Sequence, residues 1–327
     1  MRIFSDIEEI EHLFSRGFSS AKEEGRGKAL AASAVAIGKF DGIHRGHQKL
    51  LQTILDAKRE RGLLSVVFTF DRPIASIFTE KEIKVLTTNR EKRQIFEDLG
   101  IDVLIEFPLN HETVAIEPED FIKSILIRGL HARVAAAGAD CSFGHLGRGD
   151  FAMLARFGRK HRFDAVEVEK VRYGDEVISS TLIRSHIVNG NMEMAEELLG
   201  RSYSIEGDIG HGQKLGSSVL DMPTVNIVPA SEKLLPPFGV YFSRVTIDKQ
   251  IYRGITNIGV RPTVSKGQRV NAETFLYDFE GDLYGKSITL SLLHWHREER
   301  RFANLDELKT EMHRDMESGA EYFKKRN

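Results

Sequence analysis

The sequence predicts two domains, an α/β domain with a parallel sheet followed by an all-β domain. The chain has 327 residues, which is long for one hydrophobic core, since domains usually settle near ~100–200 residues. From about Ala31 to Leu198, short continuous apolar runs alternate with helical stripes. After Gly200, apolar residues recur at every second position. The first pattern is typical of strands buried on both faces, and the second is typical of an antiparallel sheet.

Five apolar runs are the strand candidates of the first domain. They are Ala34–Gly38, Leu64–Phe70, Asp102–Phe107, Ala132–Gly138 and Ala165–Val171. Apolar residues at helical spacing lie between these runs: Leu50, Leu51, Ile54 and Leu55; Ile95, Phe96 and Leu99; Phe121, Ile122, Ile125 and Leu126. Repeated strand–helix–strand units predict a parallel sheet with helices on both faces.

The second half predicts a small antiparallel β-barrel that a C-terminal helix closes. The strand candidates are Ser204–Ile209, Gly239–Ile247, Ile251–Ile258, Val270–Phe279 and Ser287–Trp295. Asn304, with Glu307 three residues later, resembles a capping box and begins a helix that runs to about Phe323. We expect a first domain over 1–188, a linker over 189–202 and a second domain over 203–327.

Composition and charge favour small-molecule chemistry in the cytoplasm. The net charge is −2, whereas a nucleic-acid-binding protein usually carries a clear basic excess. Cys141 is the single cysteine and cannot form an intrachain disulfide, and the N-terminus lacks the basic start and apolar run of a signal peptide. The longest apolar runs fall far short of the ~20 residues that span a bilayer. We expect no nucleic-acid or membrane partner, and a monomer or a weak homo-oligomer.

The most informative segment follows the first strand and enters the first helix. It reads Gly38-Lys39-Phe40-Asp41-Gly42-Ile43-His44-Arg45-Gly46-His47. The glycines allow a tight turn, and His44 and His47 lie on one face at a helix N-terminus, which attracts anions. Two histidines near a turn are, in isolation, more often surface residues or part of a metal site. The glycine-rich context favours a site for nucleotide phosphates. No Ser-His-Asp set, cysteine pair or P-loop competes with it in the sequence.

Two later segments of the first domain carry further polar residues. One is Gly138–Gly144 followed by Arg148-Gly149-Asp150, and the other is Ser179-Ser180-Thr181-Leu182-Ile183-Arg184. Hydroxyls and an arginine fork can bind a triphosphate. Ser-Ser-Thr before an arginine is, in isolation, also typical of a helix N-cap.

The second domain has four candidate segments. They are His211-Gly212 with Gly216, Met222-Pro223-Thr224-Val225-Asn226, Asn257–Thr263 and Asp278–Gly285. Glu273 lies in a predicted strand, on the same face as Phe275, Tyr277 and Phe279. A buried carboxylate is costly, so Glu273 either pairs with a structural arginine or performs acid–base chemistry. Pro-Thr-x-Asn is, in isolation, a turn with a capping threonine.

With these motifs in order from about Phe4 to Tyr322, the chain resembles the prokaryotic bifunctional riboflavin kinase/FMN adenylyltransferase family, the FAD synthetases. The resemblance implies a Rossmann-like nucleotidyltransferase domain that adenylylates FMN to FAD with release of pyrophosphate. It also implies a barrel that phosphorylates riboflavin to FMN. ATP is the co-substrate, Mg2+ the cofactor, and riboflavin, FMN and FAD are substrates or products.

The resemblance also implies roles for individual residues. The ATP-binding residues are Gly38, Phe40, Asp41, Gly42, His44, Gly46, His47, Ser179, Thr181 and Arg184 in the first domain, and Gly212, Thr224 and Asn226 in the second. The catalytic residues are His44, His47, Arg184 and the general base Glu273, and the Mg2+ ligands are Thr224 and Asn226. The flavin-binding residues are Asp140, Phe143, Asp150, Asn257, Arg261, Asp282, Tyr284 and Arg297.

The chain departs from the family pattern at two places. Phe70-Asp71-Arg72-Pro73 lacks the histidine of the family's Pro-His-Pro, and the kinase loop has Gln213 in place of arginine with an apparent insertion at 217–221. Two alternatives therefore stay open: an enzyme with only the adenylyltransferase active, and a non-catalytic flavin-binding regulator. Trp295 either packs by the flavin ring or, as we favour, fills the core, and Leu86, Thr87 and Thr88 are interpreted as ordinary loop residues.

Overall fold

A computed structural model describes residues 1–6, 8–10, 12, 32–210, 224–262, 268–279, 281, 283 and 285–326. For 261, 262, 268 and 269 it describes the backbone only. The chain forms two compact units, Met1–Ser179 and Ser180–Asn327. No helix among the residues described is long and apolar enough to cross a membrane.

The first unit is built on a six-stranded sheet in which every pairing is parallel. Its strands are β1 (Arg2–Phe4), β2 (Ser33–Ile37), β3 (Leu64–Phe70), β4 (Val103–Phe107), β5 (Ala132–Gly138) and β6 (Asp164–Val168), in the order β1-β4-β3-β2-β5-β6. The parallel sheet is confirmed, and β1 is an additional edge strand that the sequence pattern did not predict.

Helices cover both faces of this sheet. They are α1 (Arg45–Arg61), α2 (Asn89–Asp98), α3 (a turn at Pro118–Asp120 that continues as the π-helical segment Phe121–Gly129) and α4 (Phe151–His161). Alternate strand residues enter separate cores, because successive side chains of a strand point to opposite faces. Val35 and Phe68 pack in the core with α3 and α4, whereas Ala36 and Val67 pack in the core with α1 and α2. A short hairpin, β7 (Arg172–Tyr173) and β8 (Glu176–Val177), precedes the second unit.

The strand order reverses between β2 and β5. The chain leaves β2 towards β3 on one side and later returns to β5 on the other side, so the loops after β2 and β5 diverge. Ligands bind doubly wound sheets at such a switch point, outside the carboxyl ends of the strands. The glycine- and histidine-rich segment follows β2, and the 139–150 segment follows β5, so the fold brings both to this position.

The second unit is a curled antiparallel sheet with helices α5 (Ser180–Val188), α6 (Met192–Leu199) and α7 (Leu305–Lys325). Its strands are β9 (Tyr203–Asp208), β10 (Thr224–Ile227), β11 (Gly239–Ile247), β12 (Gln250–Pro262), β13 (Gln268–Leu276) and β14 (Ser287–Glu298), in the order β10-β13-β12-β11-β14-β9. The sheet curls so that its edges meet: the Gly210 N–H donates to the Asn226 carbonyl at 3.1 Å. A Cβ on Gly207 would lie 3.0 Å from the Ile227 Cβ, so a larger residue there would have to displace Ile227 by a few tenths of an ångström.

The predicted closing helix is confirmed as α7. The Asn304 carboxamide oxygen accepts the Glu307 N–H at 2.9 Å and caps the helix. Phe323 of α7 packs on Val240, Phe242 and Ile255 of the sheet. The stretch 189–202, which the sequence predicts as a linker, contains the helix α6.

Candidate active sites

The loop between β2 and α1 has an unusual backbone. Phe40, Gly42 and Ile43 have φ angles of +50°, +87° and +42°. The left-handed region costs an L-residue other than glycine roughly 1–2 kcal/mol, so contacts must hold Phe40 and Ile43 there. Both side chains are fully buried. The loop is therefore a fixed platform at the entrance of α1.

His44 and His47 lie together on this platform. Their rings stack with centroids 3.8 Å apart, and the His44 Nδ1 caps α1 by accepting the His47 N–H at 3.3 Å. In a neutral His44, that bond leaves the proton on Nε2, which is then a donor suited to a phosphate oxygen. A Cβ on Gly46 would lie 3.1 Å from the His44 ring, so glycine at this position leaves room for the imidazole.

Sequence reasoning identified Asp41 and Gly42 but missed Leu86 and Thr87, the residues that hold the loop in place. The Asp41 carboxylate accepts the Leu86 N–H at 2.8 Å, and the Gly42 N–H donates to the Thr87 hydroxyl at 3.0 Å. Thr88 caps α2 in a capping box with Glu91. Of these residues, only the Thr88–Glu91 spacing carries a signal that sequence patterns can detect.

The loop after β5 follows the strand that pairs with β2. Phe143 is buried against the Phe121 ring, and its backbone bonds reciprocally with Gly149. Asp140 pairs with Lys170 at 2.9 Å, and the bond from Lys170 lowers the pKa of the Asp140 carboxyl. The Asp150 carboxylate accepts the Met153 N–H at 2.7 Å and caps α4. Asp140, Phe143 and Asp150, the predicted flavin contacts of the first domain, thus each contact another residue of the protein.

The division between the two units falls inside the predicted second phosphate-binding segment. Ser179 ends the first unit and Ser180 begins α5 in the second. Thr181 is exposed and Arg184 is partly buried, while Ile183 and Ile187 face the core.

In the second unit, three polar residues form one row across neighbouring strands. Glu273 of β13 is paired with Asn226 of β10 on one side and with Asn257 of β12 on the other. Directly opposed residues of antiparallel strands share a face, with Cβ atoms ~5 Å apart. The row thus places one carboxylate between two carboxamides.

Neighbouring side chains orient both asparagines. Asn271 donates to the Asn226 Oδ1 at 2.9 Å, and Asn257 donates to the Glu299 Oε1 at 3.5 Å. A Cβ on Gly259 would lie 2.3 Å from the Glu299 Oε1, so the present position of this carboxylate depends on the glycine beneath it.

Of the remaining predicted flavin contacts of the second unit, Arg297 has a structural partner and the side chains of the others are not described. Arg297 forms a two-pronged ion pair with Asp315 of α7, at 2.8 and 2.7 Å, and the pKa of its guanidinium is raised by that bond. Gly212, Asp282, Tyr284 and the loop 213–222 lie outside the described residues, as does the Arg261 side chain. The Trp295 indole is partly buried and lies against Gly190 and Gly239.

The oxygens of Thr224 and Asn226 fit the needs of Mg2+ beside a nucleotide. The two residues are separated by one position on β10 and therefore share a face. Among the described residues, no group of three or more His, Cys, Asp or Glu side chains could hold a metal. Such a cluster is not needed, since Mg2+ near a nucleotide keeps waters and takes ligands from the phosphates.

The fold and the two polar segments are consistent with a two-domain transferase that acts on phosphate groups, and the comparisons with known proteins show this class. The FAD synthetase family model matches residues 27–182, and the riboflavin kinase model matches residues 199–323. The chain is 36% identical to the bifunctional riboflavin kinase/FMN adenylyltransferase of Escherichia coli strain K12, over 88% of this chain and 92% of that relative. It is 34% identical to the enzyme of the same name from Bacillus subtilis strain 168, over 90% of this chain and 93% of the relative.

A solved structure has a similar fold over most of the chain. A protein of Streptococcus pneumoniae named as a macrolide-efflux protein superposes with a TM-score of 0.79 and 26% identity, covering 89% of this chain and 95% of its own. The chain belongs to the bifunctional riboflavin kinase/FMN adenylyltransferase family. It is a transferase that phosphorylates riboflavin and adenylylates FMN with ATP.

Proposed function

We propose that the two reactions use separate sets of residues, one in each functional domain. Adenylyl transfer belongs to residues 1–188 and kinase chemistry to 203–327, with 189–202 between them. The observation that carries this proposal is the pair of distinct polar constellations. One is the stacked His44 and His47 at a helix N-terminus, and the other is the Asn226–Glu273–Asn257 row in a different sheet.

In adenylyl transfer, an FMN phosphate oxygen attacks the α-phosphorus of ATP and the bond to the β-phosphate breaks. Pyrophosphate leaves without a covalent enzyme intermediate, so the protein supplies position and positive charge. His44 and His47 donate to the departing phosphates, and the N-terminus of α1 adds its N–H groups and dipole. Gly38, Phe40, Asp41, Gly42 and Gly46 shape the loop, and Ser179, Thr181 and Arg184 are the proposed ATP-binding residues of the second signature.

In riboflavin phosphorylation, Glu273 accepts the proton from the ribityl 5′-hydroxyl while that oxygen attacks the γ-phosphorus of ATP and ADP leaves. Asn226 and Asn257 flank Glu273 on the neighbouring strands. Thr224 and Asn226 would hold Mg2+, which neutralises charge on the phosphates. Asn257, Arg261, Asp282, Tyr284 and Arg297 contact the riboflavin in this domain, whereas Asp140, Phe143 and Asp150 of the first domain contact the FMN that is adenylylated there.

A reciprocal pair of substitutions tests this assignment. Glu273→Gln keeps the size and polarity of the side chain but removes the base, so we expect FMN formation from riboflavin to be abolished and FAD formation from FMN to remain largely intact. His47→Ala should abolish FAD formation from FMN and leave FMN formation from riboflavin largely intact. His47 is chosen rather than His44 because the His44 side chain also caps α1, so its removal would disturb the helix as well. Products are separated after incubation with ATP, Mg2+ and either riboflavin or FMN.

The matched control is Glu298→Gln, an exposed glutamate at the end of β14, which should change neither activity. Equal loss of both activities in Glu273→Gln, with the fold preserved, would contradict the two-site assignment. If the wild-type protein forms no FMN, the adenylyltransferase-only alternative is right. Flavin binding without pyrophosphate release would support the alternative of a non-catalytic flavin-binding regulator.

We also propose that the enzyme works in the cytoplasm as a monomer or weak homo-oligomer, without nucleic acid.

A further inference from the structure

Asp315 is a buried carboxylate on α7 that neither proposed mechanism uses. Only 5% of the residue is exposed. Both of its oxygens accept bonds from Arg297 of β14: Oδ1 accepts the Nε–H at 2.8 Å, and Oδ2 accepts an Nη2–H at 2.7 Å. The His296 Nε2 lies 3.4 Å from the Asp315 Oδ1. A buried ion pair adds little net stability compared with apolar residues of similar size, so stability alone does not account for this pair.

Arg297 lies in the same row of residues as the proposed general base. Val240 of β11 is paired with Arg297 on one side and with Asn257 of β12 on the other. Asn257 is paired with Glu273, so the row that begins at Asn226 continues across the sheet to β14. Directly opposed residues share a face of the sheet. Neighbouring strands lie ~4.8 Å apart, so three strand spacings, roughly 14 Å along the sheet, separate the backbones of Arg297 and Glu273.

The helix α7 covers this face of the sheet. Its Phe323 packs on Val240, and its Met316 carbonyl accepts the Tyr277 hydroxyl at 2.5 Å. Tyr277 comes four positions after Glu273, a spacing that keeps both side chains on one face of an extended chain. Asp315 therefore reaches the sheet from the side that carries Glu273, and α7 has other contacts that hold it there.

The ion pair fixes the plane of the Arg297 guanidinium. A two-pronged arginine–carboxylate pair has a defined geometry. The Arg297 Nη1 also donates to the Glu298 carbonyl at 3.0 Å. Within the described part of the chain, these bonds use three of the five N–H groups of the guanidinium, which leaves one on each Nη nitrogen for a ligand. Arg297 can thus donate to a carbonyl oxygen of a flavin while Asp315 keeps it in place.

We propose that Asp315 is a positioning residue for riboflavin phosphorylation, and that it holds the Arg297 guanidinium in the orientation that binds the flavin ring. This inference rests on the proposed contact between Arg297 and riboflavin. Asp315 acts through Arg297 and does not touch the substrates. Because Arg297 is three strands away from Glu273, its displacement should weaken riboflavin binding more than it slows phosphoryl transfer.

The test is a double-substitution cycle in the full-length enzyme, with initial rates measured as the total FMN and FAD formed from riboflavin. Asp315→Asn keeps the size of the side chain but replaces one accepting oxygen with an NH2 group. We expect KM for riboflavin to rise roughly tenfold and kcat to stay within about twofold, since a contact made equally in the ground and transition states affects KM alone. Arg297→Met should raise KM at least as much. The double variant should be no worse than Arg297→Met, whereas independent effects would multiply.

Two further variants separate positioning from simple stability. Asp315→Glu keeps the carboxylate on a longer side chain, so its KM for riboflavin should lie between the values of the wild type and Asp315→Asn. Glu317→Gln also exchanges a carboxylate for a carboxamide, at an exposed position of α7, and should leave both activities unchanged. FMN adenylylation, measured on every variant, should stay within about twofold of the wild type because it depends on the other domain.

Three outcomes would overturn the inference. They are a wild-type KM for riboflavin in Asp315→Asn, a fall in its kcat without a rise in KM, and multiplied effects in the double variant. If Asp315→Asn proves unstable by thermal unfolding, Asp315→Glu decides alone: a raised KM is the expected result, and an unchanged KM overturns the inference. A wild-type KM in Arg297→Met would refute the proposed contact between Arg297 and riboflavin, whereas a wild-type KM in Asp315→Asn alone would refute only the role of Asp315.

Discussion

At the scale of single residues, Gly46 offers a test of how closely the His44 ring must be placed. A Cβ at this position would lie 3.1 Å from the His44 Cε1 and Nδ1, so Gly46→Ala should displace the imidazole by a few tenths of an ångström. We expect FAD formation to fall roughly three- to tenfold. Stability should change by less than about 1 kcal/mol, because alanine favours a helix over glycine. Steady-state rates and denaturant unfolding measure the two effects.

The control for Gly46→Ala is Gln52→Ala, an exposed position farther along α1. This variant also exchanges a residue for alanine in the same helix but lies away from the histidine rings. Unchanged FAD formation in Gly46→Ala would show that the close approach to His44 does not matter. A matching loss of riboflavin phosphorylation would indicate a general defect instead.

The sequence predicted the histidine pair but not its support. His44 and His47 are near neighbours in a recognisable segment, so local spacing reveals them. The partners of Asp41 and Gly42 are 45 residues away, and no local pattern links Thr87 to that loop. The interpretation of Leu86 and Thr87 as ordinary loop residues therefore missed their function as a clamp, because only the folded chain brings them there.

At the scale of elements, the turn between α5 and α6 packs on the chain's single tryptophan. Gly190 has a φ of +75°, and a Cβ there would lie 2.5 Å from the Trp295 Cε3. Gly190→Ala therefore combines left-handed strain of roughly 1–2 kcal/mol with overpacking of roughly 1–3 kcal/mol. Denaturant unfolding, followed by Trp295 fluorescence, should show a free energy of unfolding that is lower than the wild-type value by about the sum of these two contributions.

Gly285 is the matched control for this turn. Its φ is +71°, and no described atom lies within 4 Å of an added Cβ. Gly285→Ala should therefore lose only the strain contribution, about 1–2 kcal/mol. Equal losses in the two variants would mean that the Trp295 contact adds nothing.

Periodicity predicted the long elements and missed the short ones. Five strands of the first sheet and α7 were expected from buried runs and a capping pair, and the structure contains them with shifted ends. The strand β1 has three residues, too few for a period to emerge. The helix α6 has start and stop signals in the sequence, since Asn191 caps it and Gly200 ends it, and the prediction of a linker did not use them.

At the scale of the whole molecule, the change from continuous to alternating apolar residues predicted both fold classes. The second compact unit begins at Ser180 and includes α5 and α6. These helices have a helical pattern like that of the first domain, whereas α6 contacts a strand of the second unit. Glu193 of α6 pairs with His294 of β14 at 2.6 Å.

Fragments can locate that beginning. A fragment over 180–327 retains α5 and α6, so it should fold and phosphorylate riboflavin. A fragment over 203–327 uncovers Trp295 and removes the buried Met192, Leu198 and Leu199. Burying such side chains contributes roughly 1.5–3 kcal/mol each, so the shorter fragment should unfold at much lower denaturant or aggregate. Trp295 fluorescence measures the unfolding midpoint of each fragment, and the FMN assay measures its kinase rate. Equal midpoints and equal kinase rates would show that these helices do not support the second unit.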